Sequence, residues 1–256
     1  MASPRGNMSI RTQAHPPGLA WIAGVGVPAG LGAALARRFA RAGHPAVLTG
    51  RTPARLEAVA AQIREAGGVA HALPGDVSRE AEVLALAAKV AALGTLEVGV
   101  FNAADADRVP SLELSAEAFE RAWRTSTLGG FVFGREVVRL LLPAARGTLL
   151  FTGATASLRG RPPFAAFAAA KAGLRSVSQT FAREFGPKGV HVAHVVIDGG
   201  IDGERLRSRL PERVIEAGPD GLLGLDDIAE VYFQLHAQAR SAWTQELDLR
   251  PYKEPF

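Results

Sequence analysis

The 256-residue chain has no cysteine, and this absence excludes every site that needs a thiolate or a sulfur ligand. Disulfides, thiolate catalysis and cysteine-bound zinc or iron–sulfur clusters are all ruled out. The six histidines show no metal-ligand spacing, so we expect no metal site. The chain also lacks an apolar run long enough to cross a membrane. Together these absences favour a cytoplasmic protein with no membrane partner.

The chain also has few tyrosines and no large excess of charge of either sign. The two tyrosines, Tyr232 and Tyr252, lie far downstream and leave the preceding segments without a phenolic hydroxyl. The formal net charge is only +4, and the arginines are scattered among acidic residues. A nucleic-acid partner calls for a clustered basic patch, so we expect none. Attraction of an anionic cofactor or substrate is the simpler role for the positive charge.

Short apolar runs alternate with longer helical periods along the chain, a pattern typical of parallel βαβ units. The predicted strands are Leu19–Val25, Pro45–Thr49, Val69–Leu73, Leu96–Asn102, Thr148–Thr152, Val190–Ile197 and Glu246–Leu249. The predicted helices are Gly30–Ala42, Pro53–Ala66, Arg79–Leu93, Ala116–Leu142, Phe164–Phe185, Glu204–Glu216 and Leu225–Gln238. The pattern predicts an α/β fold: one doubly wound Rossmann-type domain with a parallel seven-stranded sheet.

No repeat or linker divides the chain, so residues 18–256 are predicted to form that single domain. Residues 1–17 carry Ser, Pro, Gly and Asn without an apolar period, and they lack the apolar core of a signal peptide. We predict a flexible N-terminal leader there.

A glycine-rich turn follows the first predicted strand and opens the first predicted helix. Residues 24–32 have the sequence GVGVPAGLG. Glycines let the backbone approach a pyrophosphate, and the free N–H groups of a helix start attract its charge. Gly26, Gly30, Leu31 and Gly32 are therefore candidate cofactor-binding residues. The same glycines also suit a turn that only packs helix on strand.

The end of the second predicted strand bears on the choice of dinucleotide. An acidic residue there binds the ribose 2′-hydroxyl and favours NAD. This chain has Gly50 and Arg51 instead. Gly50 leaves room, and the planar fork of Arg51 can pair with a 2′-phosphate. We therefore expect NADP(H), with an ordinary solvated arginine as the alternative.

The glycine spacing and three later segments resemble the short-chain dehydrogenase/reductase family. Asp76 and Val77 match the family's Asp-Val pair, and residues 101–104 (FNAA) resemble its Asn-Asn-Ala-Gly motif with the first Asn and the Gly replaced. Phe167 stands at the tyrosine position and Lys171 at the lysine position of its Tyr-x-x-x-Lys motif. The matches follow in the family's order over about residues 19–201. The resemblance implies the same fold and a nicotinamide cofactor.

The resemblance also assigns further cofactor-binding residues. It places the Asp76 carboxylate, with Val77, at the adenine edge. Asn102 and Ala103 belong to the same site, although Asn102 equally suits a structural role in the sheet. Lys171 would hold the nicotinamide ribose, with a solvated helix lysine as the alternative.

Of the serine, tyrosine, lysine and asparagine that the family uses for its chemistry, the chain keeps only the lysine. Phe167 stands at the tyrosine position, and Ala154 stands thirteen residues earlier at the serine position. Ser126 stands at the asparagine position. After the sixth predicted strand, Asp198 replaces the proline of the family's Pro-Gly segment. The residues that would bind the dinucleotide (the dinucleotide end of the site) are thus retained. The residues that would act on the substrate (the chemical end) are altered.

The missing tyrosine leaves open which group supplies a proton. The candidates are three hydroxyls near the serine position (Thr152, Thr155, Ser157) and four carboxylates after strands (Asp105, Asp107, Asp198, Asp202). An unassisted hydroxyl is a poor acid, whereas burial can raise the pKa of a carboxyl group enough for that role. Asp198 is the preferred replacement, with capping of the following turn as its alternative.

Two functions follow from this pattern. The first is an NADP(H)-dependent oxidoreductase of atypical mechanism, which transfers hydride to an imine, an iminium or a conjugated C=C. These acceptors depend less on the tyrosine hydroxyl than an ordinary ketone, whose developing alkoxide needs stabilisation. The second is a non-redox or catalytically degenerate protein of the same fold: an NADP(H) sensor, lyase, isomerase or cyclase.

The resemblance further implies a homodimer or homotetramer that binds a small-molecule substrate. In this family, helices equivalent to Ala116–Leu142 and Phe164–Phe185 build the subunit interfaces. We also expect the Arg-rich segment Glu204–Asp220 to cover the substrate pocket. Its arginines suit either an anionic substrate or a solvated helix face.

Overall fold

A computed structural model describes residues 16–254 of the chain. Within this range the strands are β1 Leu19–Ala23, β2 Ala46–Gly50, β3 Ala70–Pro74, β4 Leu96–Phe101, β5 Thr148–Thr152, β6 His191–Ile197 and β7 Glu246–Leu249. The helices are α1 Leu31–Arg41, α2 Pro53–Glu65, α3 Glu80–Leu93, α4 Ala116–Trp123, α5 Gly129–Leu141, α6 Ala165–Phe185, α7 Glu204–Arg209, α8 Pro211–Ala217 and α9 Leu225–His236. Of the predicted leader, only Pro16 and Pro17 fall among the described residues, so that prediction stays open.

The seven strands form one sheet in the order β3-β2-β1-β4-β5-β6-β7, and every pair is parallel. The strand order reverses direction at β1, because β2 and β3 lie on one side of it and β4 to β7 on the other. The loops that leave the carboxyl ends on either side of such a reversal form a crevice that binds ligands in open α/β sheets. The predicted doubly wound, seven-stranded fold is confirmed.

The core lies on both faces of the sheet, as the continuous apolar strands predict. One cluster joins alternate strand residues to α1, α2 and α9, and the other joins the remaining strand residues to α3, α5 and α6. Trp21, Tyr232 and Phe133 are among the largest fully buried side chains. Burial on both faces fixes the register of each strand, and the register places the carboxyl-end loops.

The predicted helix Ala116–Leu142 is interrupted. Its middle, Arg124–Leu128, is a π-helical turn that separates α4 from α5. Directly after it the backbone packs closely, because a Cβ on Gly130 would lie 2.3 Å from the Leu174 side chain of α6. π-helical turns inside helices occur frequently at functional sites. The predicted helix Glu204–Glu216 is also divided, by Pro211, into α7 and α8.

Candidate active site

The glycine-rich turn between β1 and α1 contains glycines of two kinds. Gly24 has a φ of +90°, and a Cβ there would lie 2.4 Å from the backbone nitrogen of Ala103. Gly32 also packs on backbone, since its Cβ would lie 2.6 Å from the Gly24 oxygen. Around Gly26, by contrast, a Cβ would meet no described atom within 4 Å. Gly24 and Gly32 thus serve packing, while Gly26 borders open space.

The start of α1 adds N–H groups to this open side. Gly30 is the N-cap residue and provides no side-chain cap, so the backbone N–H groups of Leu31 and Gly32 have no helical acceptor. Such a helix start attracts an anion. Arg37, which sequence reasoning did not single out, steadies the turn by donating from Nη1 to the Pro28 oxygen at 2.9 Å.

Asn102 and Ala103 lie directly behind the turn. Asn102 Nδ2 donates to the Gly24 oxygen at 3.1 Å, and its backbone nitrogen donates to the Ala23 oxygen at 2.9 Å. Asn102 therefore ties the end of β4 to the end of β1. This bracing is the structural role that the sequence left open for it.

The end of β2 corrects one detail of the prediction. Gly50 does not leave room for a phosphate, because a Cβ there would lie 2.2 Å from the Val25 oxygen. The missing side chain instead allows β2 to approach the glycine-rich turn, and an acidic side chain cannot be accommodated. The neighbouring Arg51 is exposed, and among residues 16–254 it forms no ion pair. Its guanidinium is available to a ligand at this rim.

Asp76 and Val77 follow β3 at the same rim. Asp76 Oδ1 accepts hydrogen bonds from the Ser78 nitrogen at 2.9 Å and from Ser78 Oγ at 2.8 Å. This local turn fixes the direction of the carboxylate. Val77 is buried, and its carbonyl lies against Gly129 at the start of α5.

Lys171 is buried in the site rather than solvated. Its side chain is 2% exposed, and Nζ donates to the Thr152 oxygen at 2.6 Å. Burial lowers the pKa of this ammonium from 10.5 to about 7, because the charged form loses its hydration. The Phe167 ring lies one helical turn away, with its centroid 5.8 Å from Nζ. Where the resemblance implies a hydroxyl beside the lysine, the chain places an aromatic face.

The neighbourhood of Ala154 contains a hydroxyl and a histidine that support the loop. The Ala154 nitrogen donates to Ser157 Oγ at 3.1 Å, and His194 Nε2 lies 3.4 Å from the same oxygen. His194 Nδ1 pairs with Glu246 at 2.9 Å, and Arg175 binds both oxygens of that carboxylate. Burial lowers the pKa of His194 to about 4. Ser157 is thus engaged in the loop rather than presented to a ligand.

Ser126 lies in the π-helical turn and is fully buried. Its Oγ has no hydrogen-bond partner among the described residues. The neighbouring Thr127 Oγ1 donates to the Ala170 oxygen at 2.7 Å and so joins this turn to α6. A buried hydroxyl without a hydrogen-bond partner is rare in a folded protein. Ser126 is therefore able to bind a water molecule or a ligand atom.

Asp198, at the end of β6, is also buried but has partners. Thr155 Oγ1 donates to Asp198 Oδ1 at 2.5 Å, and Arg250 Nη2 lies 3.1 Å from Oδ2. Sequence reasoning missed Arg250. Its place beside Asp198 follows from the parallel pairing of Ile197 with Leu249, a register that the sequence does not give.

A small pocket opens in front of Phe167. Asp105, Asp107 and Arg121 line it, and Arg121 pairs with the two carboxylates at 3.3 Å and 3.7 Å. Apolar side chains and the Phe167 ring line the rest. The Arg205 guanidinium on α7 interacts electrostatically with both carboxylates.

Two general properties hold over the described part of the chain. Residues 16–254 contain no helix that is both long and apolar enough to span a bilayer. In the same range, no three His, Asp or Glu side chains are grouped so that they could hold a metal ion.

Comparison with known proteins identifies the family. The profile described as short chain dehydrogenase matches residues 20–212. A glucose 1-dehydrogenase of Gluconobacter oxydans (strain 621H) is 31% identical over 179 residues, which cover 69% of this chain and 67% of that protein.

Two solved structures are also similar. A short-chain dehydrogenase from Rhodopseudomonas palustris is 38% identical with a TM-score of 0.79, and the match covers 93% of this chain and all of that one. A metagenomic short-chain oxidoreductase in complex with NADP is 25% identical with a TM-score of 0.78, covering 91% and 96%. The chain therefore belongs to the short chain dehydrogenase family and is an oxidoreductase.

Proposed function

We propose that the protein is an NADP(H)-dependent oxidoreductase that transfers hydride to an activated acceptor without a catalytic tyrosine. The acceptor is an imine or iminium, or a conjugated C=C. The observation that carries the proposal is the Phe167 ring beside Lys171, where the family resemblance implies a tyrosine hydroxyl. The similar metagenomic enzyme in complex with NADP supports the choice of cofactor.

The residues at the dinucleotide end fit this cofactor. Open space borders Gly26, the start of α1 is uncapped, and the exposed Arg51 guanidinium is available at the rim. Gly26, Gly30 and Leu31 would hold the pyrophosphate, with Gly32 packing behind them, and Arg51 would pair with the 2′-phosphate. Asp76, Val77, Asn102 and Ala103 would line the adenosine side, and Lys171 would bind the nicotinamide ribose. When bound, the cofactor supplies or accepts a hydride.

The chemical end supports an unusual acceptor. A ketone develops alkoxide charge that a positioned hydroxyl normally stabilises. Ala154 and Phe167 provide no hydroxyl at the two positions where the family has one, and Lys171 donates to the Thr152 oxygen. An iminium is already positively charged, and a conjugated C=C spreads the incoming charge. Hydride transfer to either acceptor therefore loses less transition-state stabilisation when that hydroxyl is missing.

Rapid-mixing measurement of NADPH oxidation against ketones, conjugated carbonyls and iminium ions tests the proposal. We expect turnover with at least one activated acceptor and slow turnover with simple ketones. Fast turnover with ketones alone contradicts the proposed acceptor class. NADH serves as the matched control for the cofactor, and it should support a lower rate because it lacks the group that Arg51 would bind.

A non-redox or catalytically degenerate protein is the second candidate, which would act as an NADP(H) sensor, lyase, isomerase or cyclase. The missing hydroxyls at Ala154 and Phe167 favour it, because the family resemblance implies that hydride chemistry at a carbonyl depends on both. Calorimetric titration with NADPH separates the candidates. Binding without turnover on any acceptor supports the second, and no binding excludes the redox enzyme and the sensor.

We also propose a homodimer or homotetramer that uses α4, α5 and α6, with the cytoplasm as its compartment. Phe119 and Trp123 on α4 are each 40% exposed, and Phe131 on α5 is 39% exposed. Exposed aromatic side chains on adjoining helices suit a subunit interface. Sedimentation should therefore give a mass above that of one chain, and Trp123→Glu should lower it. Leu112→Glu, at a fully exposed position outside these helices, is the control.

A further inference from the structure

A groove lies along the outer edge of the sheet, at residues that the candidate active site does not use. β3 is an edge strand, because the strand order places it at the end of the sheet with β2 as its neighbour. Helix α2 packs on one face of the sheet and α3 on the other. The groove has a volume of about 450 Å³, and residues 70–73, Arg64 and Lys89 are among those that line it. The edge of β3 is therefore reachable between the two helices.

The register of β3 decides which of its backbone groups reach this groove. The Ala46 nitrogen donates to the Val69 oxygen at 2.9 Å, although Ala46 is in register with Ala70. Because alternate residues of a parallel strand bond the same neighbour, the backbone groups of Ala70 and Ala72 point away from β2. The Arg64 side chain agrees with this direction, since its Nη1 donates to the Ala70 oxygen at 3.1 Å.

Both ends of this edge are protected, but its middle is not. Arg64 occupies the Ala70 oxygen, and Pro74 has no N–H group to offer. Charged side chains and proline protect edge strands from pairing with other chains in this way. Ala72 lies between them, lines the groove and has a small side chain. Its outward N–H and C=O groups are therefore open to the backbone of an added strand.

The charges around the groove favour an acidic partner. Three of the residues that line it are basic, namely Arg64, His71 and Lys89, and among the described residues that line it none is acidic. Glu57 pairs with Arg64, whereas Lys89 is exposed and forms no ion pair within residues 16–254. An acidic segment would therefore meet a cation that the described part of the chain leaves unpaired.

The same charges disfavour two occupants from this protein itself. Pairing of β3 with β3 of a second copy would bring the Lys89 side chains of both copies to one edge, where like charges repel. Residues 1–15 of the chain contain Arg5 and Arg11 and no acidic residue, so their charge does not complement the groove either. A segment of another protein is the better match.

We infer that the β3 edge binds an extended acidic segment of a partner protein, which joins the sheet as an eighth strand. The backbone of the segment bonds Ala72, and its acidic side chains pair with Lys89. Leu93, which lines the groove, and the neighbouring Val69 are exposed and offer apolar contact at the same edge. The inference is independent of the proposed function, because none of these residues would bind the cofactor or the substrate.

Three synthetic peptides test the chemistry of the partner against the whole chain. The first is acetyl-Thr-Glu-Val-Glu-Val-Glu-Thr-amide, and the second has lysine in place of each glutamate. The third keeps the first sequence but carries N-methyl groups on its three central residues, so it cannot add as a strand. By calorimetry we expect the first to bind at least about tenfold more tightly than the others, roughly the effect of one or two hydrogen bonds or ion pairs. Added salt should weaken its binding.

Hydrogen exchange resolved by residue separates strand addition from simple attraction of charge. In the free protein the amides of Ala70 and Ala72 should exchange quickly, because they point away from β2. The acidic peptide should slow both of them. The amides of His71 and Leu73 bond β2 already and should change little. Binding of the peptide without slower exchange at Ala70 and Ala72 overturns the inference.

Two variants of the protein test the same edge, and each has a matched control. Ala72→Pro removes the open N–H group at a position where an edge strand tolerates proline, and Ala72→Ser keeps that group. Lys89→Glu reverses the charge of the groove, and Arg146→Glu makes the same change at an exposed position outside it. We expect Ala72→Pro and Lys89→Glu each to weaken binding of the acidic peptide by roughly tenfold or more. The two controls should bind like the wild type.

The remaining outcomes each count against the inference. Equal affinity for the N-methylated peptide shows that the groove attracts a small anion or a charge without adding a strand. Equal affinity for the lysine peptide removes the argument from charge, and binding of no peptide removes the docking site. Absence of peptide binding, together with a sedimentation mass that Ala72→Pro lowers, assigns the edge to a second copy. Circular dichroism checks that the variants fold, and the three peptides test the wild type if Ala72→Pro does not. None of these measurements depends on NADPH binding or turnover.

Discussion

The two ends of the site are built in opposite ways. At the ends of β1 and β2, the geometry depends on missing side chains, since Gly24, Gly32 and Gly50 approach backbone atoms that any Cβ would strike. At the ends of β5 to β7, it depends on buried polar side chains: Lys171, His194 and Asp198. Steric clashes alone therefore prevent substitution of these glycines at the dinucleotide end. The second end relies on charge and hydrogen bonding, so its chemistry can change while the fold persists.

The strongest test of this contrast restores the family's hydroxyls at the chemical end. Phe167→Tyr with Ala154→Ser should raise ketone reduction by roughly 100-fold or more, because an assisted acid typically contributes two to four decades. Ketone turnover with NADPH is the measurement, and each single variant is a control. No increase means that the chemical end has diverged beyond these two positions.

A pair of glycine variants tests the dinucleotide end. Gly24→Ala combines a φ of +90° with a backbone clash, so we expect a loss of roughly 3 kcal/mol or more in unfolding free energy. Gly26→Ala meets no described atom within 4 Å and should leave stability unchanged while it weakens NADPH binding. Chemical denaturation and calorimetry measure the two effects. Equal destabilisation by both variants contradicts the division between packing and ligand-facing glycines.

Acid should loosen the chemical end before the dinucleotide end. Burial lowers the pKa of His194 from 6.5 to about 4, so the folded state binds fewer protons than the unfolded state between these values. The stabilisation from a neutral His194 is complete above pH 6.5 and is lost as the pH falls towards 4. We expect this histidine to contribute a fall of roughly 2 kcal/mol in unfolding free energy between pH 6.5 and 4.5.

Hydrogen exchange at pH 7 and pH 5 checks where this loss occurs. The amides of β6, which contains His194, should lose protection first, and those of β1 and β2 should lose it last. Uniform loss over the sheet is the contrary result. The arginine-bound Glu246, whose pKa is lowered, acts in the same direction, because it loses its stabilising charge on acidification.

The smallest expected effect concerns the choice of cofactor. Arg51→Ala should weaken NADPH binding by roughly tenfold to 100-fold, the range of one charge-assisted hydrogen bond. It should leave NADH binding unchanged, because NADH has no 2′-phosphate. Titration with both cofactors measures the difference, and Arg55→Ala on α2 is a useful comparison. Equal weakening for both cofactors would assign Arg51 to a structural role.

The fold could be predicted because its signals are local. Apolar strands, helical periods and the turn GVGVPAGLG each lie within a short segment, and parallel βαβ units connect them in few ways. The π-helical turn at Arg124–Leu128 could not be predicted, because it depends on how α5 packs against α6. The split at Pro211 had a local signal, since proline is favoured at a helix start and breaks a helix interior.

The site was only partly predictable for the same physical reason. Phe167, Lys171 and Ala154 were placed by a motif within one stretch of chain. The contacts of Asp198 with Thr155 and Arg250 join residues 43 and 52 positions apart, and they depend on the register of three strands. The sequence suggested a carboxylate on its own, whereas the structure places it in a pair with a hydroxyl.

The contacts that follow β7 have a practical consequence for handling the protein. Arg250 binds Asp198, and three residues later Lys253 Nζ donates to the Pro219 oxygen at 2.9 Å, just after α8. The segment after β7 is therefore tied to both the end of β6 and the end of α8. A fluorophore attached at the neighbouring exposed position Tyr252 should report on movement of the segment after α8.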